Sequence, residues 1–231
     1  MTFEEYEQIE KKRMEINIAH MQKGVIFTDL RSAYIDESVE IGEGTKIGPC
    51  VTLEGNTKIG KNVTITQNTR IKDSVIGDGT EVQSSVILES SVGCETKVGP
   101  FAYMRPNSKV GDHCKIGDFV EIKNSSFGNG SKASHLTYIG DADVGSEVNL
   151  GCGVVFVNYD GSHKYRTTVG DGAFVGCNTN LVSPVTVEEG SYIAAGSTVT
   201  TTVPKGSLCV ARAKARVIEG WVARRGLIKS R

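Results

Sequence analysis

The chain has 231 residues, a formal net charge of −1, 6% aromatic residues and 27 glycines. So balanced a charge leaves no electrostatic footprint for a polyanion, which argues against a nucleic-acid partner. No apolar run nears the roughly 20 residues that span a bilayer, and the start MTFEEYEQIEKKR is too charged for a secretory leader, so a cytoplasmic protein with no membrane partner is expected.

In chain order, residues 1–24 come first. FEEYEQIEKKRMEINIAHMQ reads as a helix with a ragged apolar stripe (Phe3, Tyr6, Ile9, Ile16), suited to capping the first coil of the domain behind it or to mediating contacts; His20 on it is expected at the surface. From Ile41 to Val203 the sequence repeats almost without pause: IGEGTK, IGPCVT, LEGNTK, IGKNVT, ITQNTR. Twenty-seven units can be placed, opening from Ile41 to Val199, all on Ile, Leu, Val or Met except Phe127, Ala133 and Phe156. Their fifth position is small or β-branched, apart from Asp143 and the long unit that opens at Phe156.

A hexapeptide period is the sequence signature of a parallel β-helix. Each unit supplies one short strand and a corner, its opener pointing inward and its small fifth residue letting the wall turn; Gly after the opener suits a tight corner. Three units make a triangular coil, so the units give about nine coils stacked at roughly 4.8 Å. The fold class is therefore all-β, with the solenoid over 25–204 and a C-terminal basic arm over 205–231. Five units (opening at 71, 82, 87, 122 and 139) are one residue short. Phe156 and Val169 are 13 apart, so a loop within 157–168 must leave the coil, and insertions in solenoids favour the working face. Within the arm, LCVARAKARVIEGWVARRGLIKSR carries seven Lys and Arg residues and the single tryptophan, Trp221, either as a solvated end or as a segment that meets a neighbour or an anion. The six cysteines form no CxxC pair and are expected as reduced packing residues.

Taking every third unit as one face locates the chemistry. His135 is the third residue of the unit opening at Ala133, a slot that points outward. One, two and three coils higher, the same slot holds Cys152, Cys177 and Ala195, a line of small side chains roughly 15 Å long. A base at the foot of such a groove suits an extended thioester arm. One face over, Arg105 and Lys123 are expected one coil apart; two stacked cations repel unless an anion bridges them, which points to a phosphate. Tyr138 approaches that face, and the loop brings Asn158, Tyr159 and Lys164.

The strings GPFAYMRP, GDFVEIKNSSFGNGSKASHLTYIGD, VGSEVNLGCG, VNYDGSHKYRT, IAAGSTVT and EGW resemble the acetyltransferase domain of the bifunctional N-acetylglucosamine-1-phosphate uridyltransferase/glucosamine-1-phosphate acetyltransferase family, over essentially the whole chain. The resemblance implies a left-handed helix and a homotrimer with active sites between subunits. It implies an acetyl-CoA cosubstrate without a metal, and His135 as general base with Asn158 holding the amine. Sugar-phosphate ligands would be Arg105, Lys123, Tyr138, Asn149 and Lys164; acetyl-CoA contacts would be Cys152, Asn158, Tyr159, Cys177, Ala195 and Arg212. The family usually has Ala where Cys152 stands and Ser where Cys177 stands. The Gly-rich LxAGxGxRM loop of the uridyltransferase half does not occur, so the nucleotide sugar is not expected from this chain alone. Two other readings are a scaffold or regulatory partner of a separate nucleotidyltransferase, and a metal enzyme on the same coil. The last needs clustered histidines, whereas His113, His135 and His163 fall on different units.

Overall fold

The computed structural model describes residues 1–227, so Lys229 and Arg231 of the basic arm lie outside the described residues. Strands of two to four residues form three parallel sheets of eleven, ten and nine strands, visited in rotation until the last strand, Leu208–Cys209, which joins the eleven-stranded sheet out of turn. Three sheets around one interior make a triangular prism. All the openers but Ile41 are buried, and Ile41 packs half-buried on the same core. Each fully buried Ile, Val or Leu adds roughly 1.5–3 kcal/mol relative to exposure, so the ladder of openers is the core.

The prism is longer than the period implied. Ile26–Phe27 and Tyr34–Ile35 already pair with Lys46–Ile47 and Thr52–Glu54, giving about ten turns rather than nine. Phe27 and Ile35 are eight residues apart, which hides this first coil from a count in sixes. At the far end Leu208–Cys209 adds a strand beside Tyr192–Ile193, beyond the last repeat.

Two details of the repeat differ from expectation. In the five short units the buried small residue is the fourth, not the fifth: Ser74, Ser85, Ser90, Ser125 and Ala142. The fifth residue then opens the next strand and faces out, as Val75 does at 49% exposure. Apart from Gly99, which has a positive φ, the glycines after the openers are needed for space rather than for dihedral freedom. A Cβ on Gly77 would sit 2.6 Å from the backbone N of Cys94, one coil above. The left-handed corner conformation instead falls later in the unit, as at Asn62, Glu95 and Asn178. Hydroxyls of the inward residues satisfy corner backbone groups: Ser131 Oγ donates to the Gly145 carbonyl (2.7 Å) and accepts from the Val148 amide (2.9 Å).

Helix α1 (Phe3–Gln22) begins with a Thr2–Glu5 capping box and closes the first coil chiefly by polar contacts. Asn17 Nδ2 donates to the carbonyls of Leu30 (2.9 Å) and Ala33 (3.0 Å), and Arg13 Nη1 to those of Arg31 and Ala33. Of the apolar stripe, only Ile16 packs on the core; Phe3, Tyr6 and Ile9 are exposed. His20 is buried, not at the surface. The cause is the turn at the helix end: Val25, a core residue, donates to the His20 carbonyl and folds the chain over the ring. No described helix is long and apolar enough to cross a membrane.

Burial, and then the Lys23 charge, push the His20 pKa below its ordinary 6.5. Lys12, Glu15, Lys23 and Glu37 line the cleft beside it. The detached helix therefore binds more protons than the docked one, so docking is at full strength above about pH 6.5 and weakens as pH falls. Hydrogen exchange of the α1 amides, corrected for intrinsic rate, should quicken relative to the coils between pH 7 and pH 5. His20→Leu should remove the dependence.

Candidate active site

Strand pairing fixes what stands above what. Lys132–His135 lies in the eleven-stranded sheet, with Ala133 opposite Leu150, Leu150 opposite Val175, and Val175 opposite Ile193. The residues two places after these openers are His135, Cys152, Cys177 and Ala195, so the structure does stack them in one column. Arg212 completes its upper end: its Cδ lies 3.6 Å from where a Cβ on Gly196 would be, beside Ala195. His135 and Ala195 are exposed, as is Cys177, while Cys152 is half-buried. All six cysteines are free; Cys114 is buried, but Cys50, Cys94 and Cys177 are exposed, which corrects the expectation of packing residues.

His135 stands on a ridge. Leu136 next to it and Phe119 below are each 57% exposed, and Phe119 stacks on Phe101 at 5.6 Å between ring centroids. The imidazole itself is held: Nδ1 lies 2.5 Å from Asp118 Oδ1 on the coil below. That hydrogen bond keeps the Asp118 carboxyl below its ordinary pKa. Asp118 is the third residue of the unit opening at Ile116, the slot of His135 one coil down. The six-residue map contained it, and only attention to what lies below His135, as well as above, would have found it.

The adjoining ten-stranded sheet carries Arg105, Lys123, Tyr138 and Asn158. Met104 pairs with Ile122 and Lys123 with Gly140, so the two cations stand one coil apart, as expected. The expectation that they need an outside anion fails. Arg105 Nη1 meets Glu121 Oε1 at 3.0 Å, which raises the guanidinium pKa, and Lys123 Nζ meets both oxygens of Asp141 at 3.0 and 3.1 Å. Charge repulsion on the strand face is relieved within the chain, by carboxylates the map of cations alone did not include.

Asp141 is the hub of this face. Besides Lys123 it accepts from Asn124 Nδ2 at 2.6 Å and from the buried Asn158 Nδ2. Burial acts to raise its pKa, but the bonds from Asn124, Lys123 and Asn158 outweigh it and the net direction is down. The Tyr138 ring folds over Gly140, where a Cβ would come 2.4 Å from the phenol oxygen, so the glycine makes room for it.

The inserted loop runs 158–166 between the strands Val155–Val157 and Thr167–Val169. The Tyr165 amide donates to the Asn158 carbonyl at its base, and Arg166 pins its end to Asp143, Asn124 and Ala142. Tyr159 and Lys164 pair across it and are exposed, with no described bond to the sheet cations. Asn149 is on the eleven-stranded sheet, in line with Lys132 and Phe174. Its prism face looks away from Arg105, Lys123 and Tyr138, so one chain does not bring these residues together. Among the described residues no group of three His, Cys, Asp or Glu could hold a metal.

Residues 30–104 match the family model described as the GMPPB C-terminal domain, and residues 89–124 and 166–201 match the bacterial transferase hexapeptide model of six repeats. The bifunctional protein GlmU of Clostridium beijerinckii is 60% identical over 225 residues, 97% of this chain and 49% of that protein. That of Clostridium novyi is 58% identical over 217 residues, 94% and 48% respectively. Among solved structures, the Arabidopsis UDP-N-acetylglucosamine acyltransferase superposes with a TM-score of 0.55 at 19% identity, covering 84% of this chain and 75% of that one. LpxA of Bacteroides fragilis gives 0.53 at 21% identity, covering 79% and 70%. At such identities they bear on the fold alone, a left-handed parallel β-helix. The chain belongs to the hexapeptide-repeat acyltransferases. It corresponds to the C-terminal acetyltransferase part of the bifunctional GlmU proteins, and spans about half the length of the curated relatives it matches.

Removing Asp141 leaves Lys123 unpaired and Asn158 untethered. Breaking a fully buried ion pair costs roughly 3–5 kcal/mol; because Lys123 keeps some solvent contact (18% side-chain exposure), about 2–3 kcal/mol is expected for Asp141→Ala. Urea denaturation measures it, with Glu121→Ala on the more exposed Arg105 pair expected to cost under about 1 kcal/mol.

Proposed function

We propose that the chain is an acetyl-CoA-dependent N-acetyltransferase that converts glucosamine 1-phosphate to N-acetylglucosamine 1-phosphate in the synthesis of UDP-N-acetylglucosamine. It would work in the cytoplasm as a homotrimer. The observation that carries the reading is the exposed imidazole at the foot of a column of small side chains, one corner from two stacked cations, in a chain closely similar to GlmU.

The chemistry follows from what an amide needs. The aminosugar nitrogen is largely ammonium near neutrality and must lose a proton before it attacks. His135 would take it as general base. The nitrogen adds to the thioester carbonyl carbon, the tetrahedral intermediate collapses with cleavage of the C–S bond, the proton on His135 passes to the departing sulfur, and the second proton shed by the new amide nitrogen goes to solvent. No covalent enzyme intermediate is required, because the amine attacks the thioester directly. The acetyl-CoA arm would run up the column past Cys152, Cys177 and Ala195 toward Arg212. Arg105, with guanidinium N–H groups left over from Glu121, would clamp the phosphate with Lys123, Tyr138 and Lys164, and positioning of this kind supplies much of the rate.

Asn158 was expected to hold the amine beside the histidine. Its amide nitrogen is committed to Asp141, so its remaining oxygen is the group that would accept from an amine. Asn149, on the other prism face, would serve the site of a neighbouring copy. The ridge position of His135 agrees with this, since a convex surface gives a substrate no enclosure until a second copy covers it.

The test is release of free thiol from acetyl-CoA with glucosamine 1-phosphate, with galactosamine 1-phosphate as the competing sugar. His135→Ala should lower turnover at least about 100-fold with the oligomer intact. A wild-type chain that releases no thiol with any aminosugar phosphate would leave the scaffold reading instead.

A further inference from the structure

Resting on the reading of His135 as general base, we infer that Asp118 is a positioning residue that sets which nitrogen of that base carries the proton. The geometry begins in the backbone. Lys115–Asp118 and Lys132–His135 are the two four-residue strands among described elements of two or three, and they pair with each other as far as Asp118 opposite His135. Gly117 makes the extension possible: a Cβ there would fall 1.9 Å from the Ser134 carbonyl oxygen, so only glycine lets the coils close up at this corner. The Leu136 amide then donates to the Asp118 carbonyl at 2.9 Å, and Thr137 Oγ1 donates to the His135 carbonyl at 2.8 Å. The main chain on both sides of the imidazole is fixed before the side chains meet.

The side chains complete the arrangement. An ionised carboxylate only accepts, so Asp118 Oδ1, 2.5 Å from His135 Nδ1, requires the ring hydrogen on Nδ1. Nε2 is left with its lone pair, the form that can take a proton from an amine. When it does, the imidazolium forms beside a carboxylate that is already charged, and Asp118 gains no proton in the step. Lys115, on the same strand as Asp118, acts with the imidazole to keep that carboxylate ionised. The pair is partly solvated, with side-chain exposures of 55% for His135 and 35% for Asp118, so its value lies in orientation and tautomer more than in raw attraction.

Asp118→Asn tests this without changing shape, because an amide can donate to Nδ1 and move the ring hydrogen to Nε2. Histidine labelled with 15N in the full oligomeric chain, with His135→Ala used to assign the signal, reads the tautomer directly. The wild type should show hydrogen on Nδ1. Asp118→Asn and Asp118→Ala should lose that preference, and kcat for thiol release should fall about 10- to 100-fold, with KM for both substrates within about threefold. Unchanged kcat in both variants, or a fallen kcat with the tautomer unaltered, would overturn the assignment and leave Asp118 a bond between coils. If His135→Ala itself stays active, the base reading fails first and this role falls with it.

Discussion

Everything in this molecule depends on backbone pairing between coils one turn apart. Amides of one coil donate to carbonyls of its neighbours, as Arg105 does to Ile122 on the coil above and Asp141 to Lys123 on the coil below. Because pairing advances in whole coils, a residue's face and height are set by its place in the unit. The openers form a single buried ladder for that reason, and side chains far apart in sequence become neighbours on the outside. The constraint is strict enough that glycines are needed where coils approach, at Gly77 as at Gly117.

The same stacking brings like charges together and has to relieve them. Arg105 and Lys123 stand one above the other, and each has a carboxylate drawn from the coil above it: Glu121 for the first, Asp141 for the second. Asp141 also holds Asn124 and Asn158, so the root of the inserted loop is tied to the strand that carries Lys123. His135 follows the rule too, with its carboxylate one coil below. Arg105, Lys123 and His135 are thus each paired with a carboxylate one coil away, which orients them.

Much of this could be read from the sequence because a six-residue period is a geometric instruction. The openers, the column of His135, Cys152, Cys177 and Ala195, and the stacking of Arg105 on Lys123 all followed from counting. What was missed lay where the period breaks or where polar partners decide. Phe27 and Ile35 are spaced by eight and hid the first coil; the five short units moved the buried small residue back by one. His20 was expected outside because nothing in a helical stripe announces that the following turn will cover it. Asp118 and Asp141 lay outside the expectation because carboxylates off the aliphatic ladder carry no periodic signal, although both occupy slots the map defines.

The distribution of the site over prism faces has a consequence for assembly. Arg105 and Lys123 face one way and Asn149 another, so a substrate that touches all three must sit between two copies of the chain. Mixing Arg105→Ala and Asn149→Ala chains, by dissociation and reassociation, measures this directly. Each variant alone should be nearly inactive. The mixed oligomers should recover a substantial fraction of wild-type thiol release, because some of their sites draw both residues from intact copies. Mixtures no more active than the separate variants would show that these residues do not serve one site from two chains, contradicting the account.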